Sequence, residues 1–194
     1  MHSQSIQART GQGSRWMTVY WSAAAVLLLL PAVAMRFTDE VAWSGGDFVI
    51  AAVLLGGLGL GLETMLRNHG DRAYRAASVC ALGGAFLLLW INGAVGILGA
   101  SGNAANLMFF GVLAVAAVGA MLARFEPVGM SRTMAATAAA QTLVAAIALT
   151  FDRGAGAPIW PRDLLGATAF FVLLWMLSAS LFHKAGSRES VEVG

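Results

Sequence analysis

The sequence predicts an all-α, polytopic membrane protein: a bundle of about six transmembrane helices. Three observations carry this. Apolar residue types make up 58% of the 194 residues and charged types only 11%, against roughly a quarter charged in a soluble globular chain. Mean hydropathy is +0.73. Charged residues punctuate the chain at intervals of about one membrane thickness, which takes ~20 apolar residues to cross as a helix. A secreted disulfide scaffold is excluded because Cys80 is the single cysteine, and low-complexity disorder is excluded by the hydrophobicity.

The first span, 16–36, occupies the 20 uncharged residues between Arg15 and Arg36. Its charged start and Ala32-Val33-Ala34 also fit a signal peptide with an A-x-A cleavage site. The apolar run exceeds the 7–15 residues usual there, so an uncleaved helix is favoured; cleavage would leave five spans. Pro31 removes a backbone donor near its end and predicts a kink. The second span, 48–66, follows Asp47 and tolerates Glu63. Between Arg75 and Arg124 lie 48 uncharged residues, about 72 Å of helix, more than twice the hydrocarbon core. The chain must turn back, and the Gly and Asn residues of 99–106 supply the chemistry. That gives spans 76–98 and 106–123. Two gaps of 19 residues, after Arg132 and after Asp163, give spans 133–151 and 164–183. Alternation of the transmembrane-strand type is absent from Ala23 to Leu30 and from Leu107 to Leu122. Residues 1–15 and 185–194 read as flexible tails on a single transmembrane domain, 16–184.

Loop charges predict both ends on the cytoplasmic side. In that orientation Arg9, Arg15, Arg67, Arg72, Arg75, Arg124, Arg132, Lys184 and Arg188 face inward, against Arg36, Arg153 and Arg162 outward. The acids Asp39, Glu40, Asp47, Asp152 and Asp163 fall outside. Trp16, Tyr20, Trp21 and Tyr74 mark inner helix ends and Trp43 and Trp160 outer ones, the interfacial belt of a membrane protein. Trp90 and Trp175 lie deeper, as packing or as a ligand-stacking pair. Helix association in lipid relies on small residues. Gly57 with Gly61, Ala116 with Ala120, and Gly119 with Ala123 have the spacing, for packing within the chain or for a homodimer.

Polar residues within the spans are the candidates for function. Glu63 is the one carboxylate inside a span and precedes Arg67 by four residues, the spacing of a same-face ion pair. It reads as an interfacial Glu–Arg pair or as a proton or cation site. Asn92 in span three and Gln141 in span five, with Thr137 and Thr142 nearby, read as interhelical glue or as the lining of a polar pocket. His69 and His183 map to a membrane surface, so they supply neither axial haem ligands at depth nor a zinc site. No HExxH, GxSxG, Walker or CxxC motif occurs, and Cys80 lacks the companions of a nucleophile. No cofactor is expected, no nucleic acid is needed to explain the basic residues, and the chain is not expected to be an enzyme.

The stretch Leu89-Trp90-Ile91-Asn92-Gly93-Ala94-Val95-Gly96-Ile97-Leu98-Gly99, continuing through Asn103-Ala104-Ala105-Asn106-Leu107-Met108-Phe109-Phe110, is similar to a family of small, uncharacterised bacterial inner-membrane proteins. So are Asp47 to Leu55 and Ala123 to Met130, and the likeness covers residues 28–150. In that family the turn before span four reads Gly-Ser-Glu-Asp-Asn-Pro-Ala-Asn. Here Ser101 and Gly102 replace the two acids and Ala104 the proline, so any cation bound by those acids would not be bound here. Asn103 and Asn106 are retained, at a helix start whose exposed amides would suit an anion or a headgroup. The resemblance implies a bacterial cytoplasmic-membrane location and no particular activity.

Two functions stay open. One is a non-catalytic accessory protein or small homo-oligomer, with the bilayer and a membrane-protein copy as partners. The alternative is a small-solute or ion transporter with a polar pathway lined by Glu63, Asn92 and Gln141. An intramembrane enzyme is the weakest reading.

Overall fold

The computed structural model describes residues 3–37, 43–68, 71–99, 102–154 and 159–192. Six helices follow in order: α1 (Ser3–Ala34), α2 (Gly45–Asn68), α3 (Arg72–Ala94), α4 (Met108–Leu122, entered through a 3-10 turn at Ala104–Leu107), α5 (Pro127–Thr150) and α6 (Arg162–Glu192). Among the described residues all six are long and apolar enough to cross a membrane, α4 together with its 3-10 turn, and no strand occurs. Asp39, Glu40, His69 and Ser101, and the side chains of Trp16 and Arg67, lie outside the described residues.

The chain divides into two compact units, residues 1–68 and 69–194, where the sequence suggests one domain. In the first unit α1 packs on α2. Gly59 makes the close approach: a Cβ there would stand 2.5 Å from Tyr20 Cε1 and 2.9 Å from the Trp21 ring, whereas Gly57 has open space around it. The contact with α1 is thus made by Gly59, between the two glycines of the GxxxG spacing, and Gly57 takes no part in it. The Tyr20 hydroxyl donates to Leu55 O at 2.6 Å. Ser44 and Asp47 cap α2 reciprocally, Ser44 N donating to Asp47 Oδ2 at 2.7 Å and Asp47 N to Ser44 Oγ at 3.3 Å.

In the second unit α6 packs on both α3 and α5, α4 packs on α5, and α3 meets α4 over a smaller area. Small residues set the approaches, as close packing in lipid requires. A Cβ on Gly119 would lie 2.5 Å from Thr133 Cγ2, and one on Gly129 would lie 2.7 Å from Ala123 Cβ, so the Gly119/Ala123 face of α4 is the one α5 covers. Asp71 caps α3, accepting from Ala73 N at 2.6 Å and Tyr74 N at 3.1 Å. Pro127 opens α5 at its first turn, where a missing N–H costs nothing. The α4–α5 turn passes through two left-handed residues, Arg124 (φ 52°) and Phe125 (φ 61°). The buried Tyr74 hydroxyl holds it, donating to Phe125 O at 2.6 Å.

α1 begins at Ser3, so residues 3–15, expected as a tail, continue the first helix, and α5 begins at Pro127 rather than at 133. Two further boundaries differ for reasons that the contacts identify. Span three ends at Ala94, not at 98, because Ile97 N and Leu98 N donate to Asn106 Oδ1 at 3.1 and 2.9 Å rather than back to the helix. Gly96 (φ 80°) and Gly99 (φ 78°) make the turn, in a conformation glycine adopts without strain. Residues 185–192 continue α6 rather than forming a tail. Ala185 is buried, and Gly186 lies against Val128, where a Cβ would stand 2.7 Å from its Cγ2. Arg188 reaches Asp71 at 3.4 Å. Burial raises the Asp71 pKa, but the Tyr74 and Ala73 N–H groups and the Arg188 guanidinium outweigh it, and the carboxyl sits below its usual value.

Candidate functional site

Of the sequence candidates, Asn92, Asn103, Asn106 and Gln141 belong to the second unit and Glu63 and Arg67 to the first. Glu63 is half-buried on α2, one turn before Arg67. Three of the four second-unit residues converge at the end of the unit that carries the α3–α4 and α5–α6 connections. Asn92 Nδ2 donates to Asn106 O at 3.1 Å. Asn106 Oδ1 takes the Ile97 and Leu98 N–H groups. Asn103 Oδ1 accepts from Ala105 N at 3.0 Å, and its Nδ2 donates to Leu98 O at 2.8 Å and to Arg153 O at 2.6 Å. The last bond ties the α3–α4 turn to the α5–α6 connection. Asn106 is buried, at 4% exposure, so the turn does not present the free pair of amides that its sequence suggests for an anion or headgroup.

Gln141 stands apart from this network. It is fully buried at the centre of the inward face of α5, flanked by Thr137, Ala138, Val144 and Ala145. Neither its Nε2 nor its Oε1 has a hydrogen-bond partner. Among the described residues three other buried side chains have one such atom each: Trp175 Nε1, Thr168 Oγ1 and Asn92 Oδ1. Burying such a group unpaired costs about 1–3 kcal/mol, and native proteins leave few of them.

Helix register places these groups. A Cβ at Gly84 would lie 2.8 Å from Leu174 and 2.9 Å from the Trp175 ring, so α3 and α6 run antiparallel with Gly84 level with 174–175. Gly186 is level with Val128. Thirteen residues along α5 lead from Val128 to Gln141, and thirteen back along α6 lead to Leu173, within about 3 Å in height of Trp175. Gln141 and Trp175 therefore occupy one level near the middle of the bundle. Eight residues from Gly84 lead to Asn92, and eight back from Trp175 lead to Ala167, beside Thr168. Thr168 and Asn92 form a second level about 10 Å nearer the connection-bearing end.

The other half of the bundle is different. Ser78 donates to Tyr74 O at 2.9 Å, Thr133 to Gly129 O at 3.0 Å, Thr137 to Thr133 O at 2.9 Å and Ser178 across to Ala77 O at 2.9 Å. Tyr74 and Phe182, both buried, meet edge to face at 5.0 Å between ring centres. The buried polar atoms without a partner all lie from the middle of the unit toward the Asn103 end, beside the satisfied Asn103 and Asn106 amides.

The sequence reading missed Thr168, and it took Trp175 as a ring to be stacked or packed, not as an N–H donor. Trp175 is fully buried against Phe171, at 6.3 Å, whereas Trp90 is 43% exposed beside Phe86. Their different surroundings separate the two rings that the sequence pairs by depth. Among the described residues no group of three or more His, Cys, Asp or Glu is placed to hold a metal ion. No family model, curated protein or solved structure matches the chain.

Proposed function

We propose that this chain is a non-catalytic membrane protein that admits small polar solutes into the interior of α3–α6 and passes them across a bacterial cytoplasmic membrane, with both termini on the cytoplasmic side. The observation that carries it is the Gln141 amide, fully buried at mid-depth with no partner for either polar atom. Hydrocarbon offers such a group nothing, and a dry helix–helix interface would leave the whole penalty unrelieved. A polar guest or water column relieves it. The nine-to-three distribution of basic residues supports the orientation.

The interior of α3–α6 carries no Asp, Glu, Lys or Arg between Arg75 and Arg124, between Arg132 and Asp152, or between Asp163 and Lys184. That favours uncharged solutes over ions, since an ion at depth needs a compensating charge. It also narrows the pathway from the sequence set: Gln141 and Asn92 remain, with Trp175 and Thr168 added, and Glu63 is not required.

The test is single-cysteine labelling in a Cys80→Ala background, in intact cells. Gln141→Cys and Thr168→Cys react with a small hydrophilic thiol reagent if the interior is wet. Silence at both positions, in protein that still labels at an exposed control such as Ala135→Cys after detergent extraction, sinks the proposal. An accessory or homo-oligomeric role is the second reading. It is favoured by the Asn103 and Asn106 amides, which are spent on the chain's own backbone.

A further inference from the structure

We infer that the Gln141–Trp175 level is a binding site for a compact, uncharged amide, of the acetamide or urea type, reached from the connection-bearing end past Thr168 and Asn92. The inference rests on the solute-passing reading above and names its substrate class.

The chemistry of the unpartnered atoms selects the guest. Gln141 presents a planar edge with one carbonyl acceptor and an N–H donor side by side, and both are unused. Another amide is its natural complement: the guest N–H donates to Gln141 Oε1 while the guest carbonyl accepts from Gln141 Nε2, giving two parallel hydrogen bonds. Trp175 Nε1–H, a donor only, lies at the same level and is also unused. It meets the second lone pair of the guest carbonyl. A hydrocarbon satisfies none of these atoms, and an anion would face the Gln141 carbonyl with no charge to balance it. A cation would face two N–H donors. Gly84 contributes by omission, since a side chain there would run into the Trp175 ring.

Thr168 argues that the approach is built the same way. Thr64, Thr133, Thr137, Thr142 and Thr150 each donate to the carbonyl four residues back, the usual way for a helical threonine to satisfy itself. Thr168 does not, although it is buried and α6 offers the same carbonyl. Its hydroxyl and the Asn92 carbonyl, an acceptor, supply a second idle donor and a second idle acceptor one level out.

The experiment uses the full chain in proteoliposomes and follows re-swelling by stopped-flow light scattering after an osmotic step of acetamide, urea or glycerol, with sodium chloride as the charged comparison. Acetamide and urea re-swell the vesicles faster than protein-free controls, and Gln141→Leu slows them about tenfold, the loss of two hydrogen bonds. Trp175→Phe, which keeps the ring and removes the N–H, slows them less. Because either variant can disturb folding, a second readout uses wild-type protein: the indole N–H resonance of Trp175, assigned by its disappearance in Trp175→Phe, shifts on titration with acetamide and not with glycerol. Faster glycerol or sodium chloride entry with no acetamide or urea effect, and no Trp175 shift, overturns the amide site and leaves the pathway standing. No accelerated entry for any solute, with no Trp175 shift, overturns both.

Discussion

Asn106 is the residue whose loss is expected to cost most for its size. Its Oδ1 accepts from Ile97 N and Leu98 N, and those two residues are 4% and 0% exposed, so no solvent replaces the acceptor. Asn106→Ala strands both N–H groups at about 1–3 kcal/mol each, while the bond from Asn92 to the main-chain carbonyl survives. The expected loss is about 3 kcal/mol, more than a hundredfold in the folding equilibrium. Reversible unfolding in mixed detergent micelles, followed by helical circular dichroism, measures it. Leu107→Ala is the matched control, in the same 3-10 turn but 66% exposed, and is expected within about 0.5 kcal/mol of wild type. An Asn106→Ala variant no less stable than Leu107→Ala would refute the capture of the α3–α4 turn by this side chain.

The same assay reads three further expectations. Gly84→Val drives a side chain into Leu174 and the buried Trp175 ring and is expected to cost about 1–3 kcal/mol; Gly83→Ala, with open space around its Cβ, is expected to be neutral or slightly stabilising, and equal effects would contradict the α3–α6 contact. The Asp71 pKa is held down in the folded state, so its stabilisation is complete above the usual carboxylate value near 3.8 and fades as pH falls through the lower folded value. Asp71→Ala is expected to lose about 1 kcal/mol as a helix cap at neutral pH and to flatten that acid limb; an unchanged acid limb would show that Asp71 does not carry it. Tyr74→Phe removes the hydroxyl that holds Phe125 O and is expected to cost about 1 kcal/mol, read against Phe125→Ala, which keeps that carbonyl.

The six spans were legible because charge is so costly in hydrocarbon that its spacing alone marks the helices. Helix ends were less legible, since tertiary partners decide them. Nothing local to Ile97 says that its N–H belongs to a side chain nine residues later, and nothing local to Ala185 says that Val128 lies against the next residue. The division after Asn68 is a property of which helices pack, which hydropathy does not encode. Asn92, Asn103, Asn106 and Gln141 were all visible as polar residues in apolar surroundings. Their sorting into two engaged amides, Asn103 and Asn106, one bonded through its Nδ2 alone, Asn92, and one idle, Gln141, was not, because it depends on neighbours across the bundle. Thr168 was passed over because a helical threonine ordinarily satisfies itself.

Self-satisfaction separates most buried hydroxyls of α3–α6 from the idle Gln141 amide and Trp175 indole. Serine and threonine can be buried cheaply in a membrane helix by donating to their own backbone, as Ser78, Thr133 and Thr137 do. Glutamine and tryptophan have no equivalent local escape, since their polar atoms extend beyond the reach of the carbonyl four residues back. Placing one of each at the same level, at mid-depth, carries a cost that a simple packing role would avoid with leucine and phenylalanine of similar volume. A dry bundle under that cost is improved by Gln141→Leu, which removes an unpaired amide and adds stability of about 1–3 kcal/mol. A bundle whose interior holds a polar guest gains little or nothing from the same change and loses the guest. On this one variant the dry reading therefore moves stability and leaves permeation alone, whereas the guest reading moves permeation and leaves stability alone, and a large stabilisation with unchanged vesicle re-swelling would leave Gln141 as glue that lacks its partner.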